Sequence, residues 1–115
     1  MTARFEFYER APMGVTWRLL SSNNRDLGRS ASGYADVGEC ITAVEVLRAA
    51  LTDTEPEVYR VNRLAWAWRL DVAADATAVA SRAYQRRVQA QTACGLFLKL
   101  AALADVTPAV RQSRT

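Results

Sequence analysis

The side chains in this sequence best equipped for chemistry are arginines. Arg18 and Arg69 each sit between a tryptophan and a leucine, in Trp17-Arg18-Leu19 and Trp68-Arg69-Leu70, out of phase with the apolar residues around them. A guanidinium offers phosphate or carboxylate a rigid fork of donors. Two of them at matching places on a sheet, with Arg4 and Arg63 as neighbours, form a candidate contact for an anion or a nucleic-acid backbone. The competing reading, which the sequence favours, pairs them with Glu6, Glu9 and Glu57 as cross-strand ion pairs. Arg86 and Arg87 are a second candidate contact, because cations in the first turn of a helix oppose its dipole by about 0.3–1 kcal/mol each. An earlier helix start, or neutralisation by Asp75, accounts for them without a ligand.

Support for catalysis is thin. The sequence has no histidine, no glycine-rich phosphate loop after a strand, no nucleophile elbow and no paired carboxylates on one element. Asp53, Glu55 and Glu57 cluster in a linker and read as solvated. Cys40 and Cys94 lack metal-ligand spacing and fall on apolar helix faces, so they read as buried thiols. The expectation is a protein that is not an enzyme, with no cofactor and no metal.

Trp17, Trp66 and Trp68 could stack nucleic-acid bases, but they share the phase of Val15, Leu19, Leu64 and Leu70 and therefore read as core. From Leu96 to Leu103 the only polar side chain is Lys99. One helix stripe on a sheet does not need that much apolar surface, so Leu96, Leu98, Leu100 and Leu103 are candidate protein-interface residues. The first helix, approached closely at Gly95, is one way to cover them. A partner protein or a second copy is the other.

At 115 residues the chain is expected to be a single domain, 1–115. With 50% hydrophobic and 23% charged residues, it has the composition of a globular fold rather than a disordered segment. The net charge of +3 and pI near 9.2 lean only mildly toward an anionic partner. Met1–Arg10 mixes charges with aromatics and has no apolar signal region, and no run is long enough to span a bilayer. A cytoplasmic protein with no membrane association is expected.

These side chains must be held by strands and helices that the sequence writes twice. Glu6-Phe7-Tyr8 precedes the first Trp-Arg-Leu at the same distance as Glu57-Val58-Tyr59 precedes the second. Strand alternation runs through Arg4–Glu9 and Val15–Ser21, with a polar turn at Asn23-Asn24 and a short third strand at Leu27–Ser32. Asp36 begins a helix, with Glu39 in capping-box position. Its apolar stripe is Val37, Ile41, Val44, Leu47 and Leu51. The second half repeats this with strands at Glu57–Val61, Ala65–Val72 and Thr77–Arg82, then a helix at Gln85–Ala104. The expected fold is α+β: two tandem β-β-β-α repeats, 3–51 and 57–104, with pseudo-two-fold symmetry and helices packed on an antiparallel sheet. Residues 105–115 read as a loose C-terminal tail.

Phe5-Glu6-Phe7-Tyr8, Trp17-Arg18-Leu19, Asn24, Ser30, Tyr34, Cys40-Ile41, Val44 and Leu47-Arg48 together resemble the YegP-like family, small proteins built on a domain of unknown function. The family has Asn-Gly in the hairpin where this chain has Asn24-Arg25. The second half keeps Tyr59, Trp68-Arg69-Leu70 and Tyr84 but lacks the Asn turn, as a divergent copy would. The resemblance implies two β-β-β-α units sharing one sheet, and it supplies no catalytic residues. The function expected is a small non-enzymatic binding or interaction module that takes an unknown protein partner or self-associates as a homodimer. The alternative is a weak nucleic-acid binder using Arg18, Arg63, Arg69, Arg86 and Arg87, and a small enzyme ranks last.

Overall fold

In the computed structural model, which describes residues 2–73 and 76–112, the first alternating stretch forms β1 (Arg4–Arg10), with Phe5 and Phe7 fully buried on one side. A turn leads into β2 (Gly14–Leu20), which pairs antiparallel with β1 and sets Phe7 opposite Trp17. Gly14 opens β2 at φ +96°, a region costly for any residue with a Cβ. A Cβ there would lie 2.3 Å from the Tyr34 carbonyl oxygen. That same oxygen accepts from the Val15 N–H at 2.8 Å. Asn24, at φ 66°, supplies the left-handed residue of the turn before β3 (Asp26–Ser30).

The helix α1 (Val37–Ala49) starts where the capping pattern places it. Asp36 Oδ1 accepts from the Glu39 N–H at 2.9 Å, and Glu39 Oε2 accepts from the Ala35 N–H at 3.1 Å, so two otherwise orphaned donors are satisfied. Asp36→Ala removes the first of these bonds and is expected to cost about 0.5–2 kcal/mol, read from the midpoint of urea unfolding. An unchanged midpoint would show that water serves the Glu39 amide equally well.

The second half runs β4 (Glu57–Asn62), β5 (Ala65–Ala73), β6 (Ala76–Val79) and α2 (Arg87–Ala101). Both β6 and α2 are shorter than the stretches read from sequence. At the α2 start Gln89 Oε1 accepts from the Arg86 N–H at 3.1 Å. Arg86 stands in the N-cap position and has no side-chain acceptor to return the bond. Asp75 lies outside the described residues.

Among the described residues the result is a mixed α+β fold, one seven-stranded sheet and two helices, with strand order β4-β5-β6-β3-β2-β1-β7. The final strand, β7 (Asp105–Gln112), corrects the reading of a loose tail over those residues, while 113–115 lie outside the described residues. It pairs parallel with β1, so the sheet is mixed rather than antiparallel. Pro108 breaks the alternation that would have announced a strand, and the register shifts between Phe5 and Phe7 as β7 passes it. A proline is tolerated on an edge strand because one row of its N–H positions faces no neighbour.

α1 packs on β2, β5, β6 and β7, and α2 on β3, β4 and β5. Phe97 from α2 sits between the two Trp-Arg-Leu tryptophans, its ring 4.7 Å from Trp68 and 6.2 Å from Trp17 between centroids. Phe5 meets Trp17 edge-on at 5.4 Å. Trp17 and Trp68 are therefore core, as the phase argument expects. Leu64 is not: it lies at the β4–β5 hairpin tip and is 81% exposed. Trp66 is only half-buried, while Ala67, expected on the open face, is buried. Gly95 is exposed and nothing lies within 4 Å of where its Cβ would be, so it serves no close helix approach.

Candidate interaction surfaces

On the sheet face away from the helices, the two prominent arginines are already engaged. Arg18 lies over the Tyr8 ring, 4.1 Å from its centroid, with Nη1 3.3 Å from Asp26 Oδ2. Arg69 Nε is 2.9 Å from Asp71 Oδ2. The Arg69 hydrogen bond, then that of Thr77, holds the Asp71 carboxyl below its ordinary range. Both arginines are thus ion-paired, but with Asp26 on β3 and with Asp71 two residues along β5, in place of cross-strand pairs with Glu6, Glu9 and Glu57. Glu6 and Glu57 do stand directly opposite Arg18 and Arg69 in register.

Glu6 is instead enclosed by other partners. Arg4 Nε lies 2.6 Å away, the Tyr8 hydroxyl donates at 2.5 Å, and Arg111 reaches it from β7 at 3.5 Å. Burial raises its carboxyl pKa, but the Tyr8 and Arg4 hydrogen bonds and the Arg111 and Arg4 charges outweigh that and leave it below the ordinary value. The Arg111 contact ties β7 to the sheet, and no local sequence spacing joins residue 111 to residue 6.

The remaining candidate arginines fall elsewhere. Arg63, at the exposed hairpin tip, gives its carbonyl to Arg60 Nη2 at 3.2 Å. Arg60 lies 5.5 Å from the Trp66 ring centroid and Arg87 lies 5.8 Å from it. Arg86 is exposed beside them at the start of α2. Trp66 and Tyr84 join this corner through paired backbone bonds of 2.7 Å in each direction. None of Arg60, Arg63, Arg86 and Arg87 has a carboxylate partner among the described residues. Arg60 escaped sequence reading, although its register opposite Trp66 follows from the strand pairing.

A groove of about 1250 Å³ runs along the flank of α2, between that helix and the β2–β3 turn. Leu27, Val88, Ala93, Leu96 and Leu100 form its apolar part, with Arg25, Asp26, Arg82 and Gln89 among the polar residues that line it. Val88 and Leu96 are 61% and 44% exposed, and Leu103, just past the helix end, is 69% exposed. Of the four candidate interface leucines, Leu98 and Leu100 are half-buried and pack against the core, Leu100 also lining the groove, while Leu96 and Leu103 are exposed.

Burial pushes the Cys40 thiol up to about 12 and the Cys94 thiol up to about 11, which suppresses the nucleophilic thiolate. Among the described residues no group of three or more His, Cys, Asp or Glu side chains is placed to hold a metal ion. No described helix is long and apolar enough to cross a membrane.

No protein-family model matches the sequence. No curated protein matches it either. Among solved structures the fold is similar to that of YegP from E. coli, a protein of unknown function, with TM-score 0.75 and 12% identity over 100% of this chain and 97% of that one. It is also similar to a UPF0339 protein from Shewanella oneidensis, with TM-score 0.70 and 11% identity over 97% of this chain and 92% of that one. At these identities the likeness establishes a shared fold.

Proposed function

We propose that this chain is a non-enzymatic interaction module of the YegP-like kind, acting in the cytoplasm and self-associating through the flank of α2. Its architecture is read as two tandem β-β-β-α repeats about a pseudo-two-fold axis between β6 and β3. The strand order supports that reading. So do the matching bridges Val15↔Tyr34 and Trp66↔Tyr84, and the matching pairs Glu6↔Arg18 and Glu57↔Arg69.

The observation that carries the interaction reading is the exposed apolar flank of α2. Leu96 and Leu100 in the groove continue into Leu103, a contiguous apolar strip of the kind that marks an interface. A second copy is the occupant that needs nothing added. Under two-fold pairing the same strip faces itself, and Arg25 or Arg82 on one copy can meet Asp26 on the other. Sedimentation across a concentration series should give a dimer mass at high micromolar concentration, and Leu96→Glu should return it to monomer. A wild-type chain that stays monomeric throughout removes self-association.

The nucleic-acid reading is weakened by the engagement of Arg18 and Arg69 with Asp26 and Asp71. Its other residues, Arg63, Arg86 and Arg87, belong to a corner whose geometry favours a different ligand. A small enzyme is the least supported reading, given thiols held protonated by burial.

A further inference from the structure

We propose that the free edge of β4, with the arginine corner at its end, binds an extended acidic peptide as an added strand. This surface adjoins the α2 groove at Tyr84 and the start of α2 but uses a different strand edge and different arginines, so a failure of self-association leaves the proposal standing.

β4 is one of the two outer strands of the sheet, and an edge strand presents a row of unused backbone N–H and C=O groups. Such a row is matched by another polypeptide backbone, which supplies both donors and acceptors at ladder spacing. A phosphodiester chain supplies acceptors only and would leave the outward carbonyls of β4 without donors. Trp66 points the same way: guanidinium groups of Arg60 and Arg87 already lie against its ring, so it is poorly placed to stack a base.

Charge decides what kind of peptide fits. Arg60, Arg63, Arg86 and Arg87 gather at the hairpin end and α2 start without carboxylate partners among the described residues. Val61 and Leu64 stand between them, 50% and 81% exposed. An occupant with acidic side chains toward the Arg60 end and apolar ones between would satisfy both. Glu57 at the other end of β4 disfavours acids there and so gives the occupant a direction.

The molecule already carries out this kind of pairing at its opposite edge. β7 lies parallel along β1 with Asp105 opposite Arg4, and Arg111 reaches Glu6. On the β4 side the register shift between Arg60 and Asn62, and the Asn62 Oδ1 that takes the Leu64 N–H at 2.8 Å, interrupt the strand near its tip. Strand addition is therefore confined to the Glu57–Arg60 stretch, with the arginines beyond it contacting side chains.

The test uses the full chain and a fluorescent octapeptide with alternating valine and threonine in one half and alternating valine and glutamate in the other, made in both orders and read by anisotropy. Three further probes are the same peptide N-methylated at alternate residues, its lysine-for-glutamate counterpart, and a single-stranded oligothymidine of similar length. Saturable binding of the acidic peptide is expected in at least one order. N-methylation should weaken it by at least about tenfold by removing ladder bonds. The pair Arg60→Gln and Arg87→Gln should do the same by removing charge-assisted contacts. Both positions are exposed, and unchanged circular dichroism confirms the fold of the variant. No saturable binding, equal binding of the methylated or lysine peptide, or tighter binding of the oligothymidine overturns the proposal.

Discussion

Trp68→Ala is expected to lower the stability of this protein by about 3–5 kcal/mol, and Trp17→Ala by a similar amount. Both indoles are almost wholly enclosed, with Trp68 at 0% and Trp17 at 2% exposure. They hold the two sides of Phe97, so truncating either leaves a cavity against a ring that has nowhere to relax. Chemical denaturation monitored by far-ultraviolet circular dichroism measures the loss, and a change below about 1 kcal/mol would remove that tryptophan from the core. Trp68→Phe separates packing from polarity. Among the described residues Trp68 Nε1 has no hydrogen-bond partner, and an unpaired buried donor costs about 1–3 kcal/mol. Phenylalanine removes that donor while filling most of the volume, so Trp68→Phe should cost much less than Trp68→Ala. A loss as large as the alanine variant's would mean that the indole shape itself is indispensable.

The placement of these tryptophans was legible in the sequence because a strand has a period of two and Val15, Trp17 and Leu19 obey it. The same rule carried one step too far at Leu64. A residue at a hairpin tip keeps the phase of its strand but has no facing layer to enter, so it stays in water at 81% exposure. The first helix start was legible because capping is local: Asp36 and Glu39 satisfy amides within one turn. β7 was not, because its register depends on β1 at the other end of the chain, and Pro108 interrupts the only local signal. Of the candidate sites, Arg18 and Arg69 take ion-pair partners, but not in cross-strand pairs with Glu6, Glu9 or Glu57. Asp71 lies two residues from Arg69 on the same strand, on the same face by the period of two, whereas Asp26 meets Arg18 only once the turn after β2 brings β3 alongside. Arg60 and Trp66 meet Arg87 only when β4, β5 and the start of α2 are brought together, and no sequence spacing expresses that corner.

The second large effect is expected from the smallest change. Gly28→Ala adds one methyl group to β3 and should destabilise the fold by about 1–3 kcal/mol, the usual range for overfilling a packed core. A Cβ at Gly28 would lie 2.6 Å from Phe97 Cδ1 and 2.9 Å from Trp68 Cη2. Side-chain ends can often swing aside, but this ring is held between Trp17 and Trp68 and is fully buried, so the strand must shift instead. Because Gly28 lies opposite Leu19 in the β2–β3 ladder, that shift would disturb a register already irregular between Leu19 and Leu20. Two further variants isolate the cause. Gly28→Ala combined with Phe97→Leu should lose less than the sum of the two single changes, since the smaller side chain leaves room for the methyl group. Gly95→Ala, on the exposed side of α2 with nothing within 4 Å of the new Cβ, should raise stability by about 0.5–1 kcal/mol through helix propensity. Urea unfolding of the four proteins beside wild type gives all the comparisons at once. Strict additivity of Gly28→Ala and Phe97→Leu would mean that the methyl group and the ring do not meet, and that Phe97 is not the residue that requires glycine on β3.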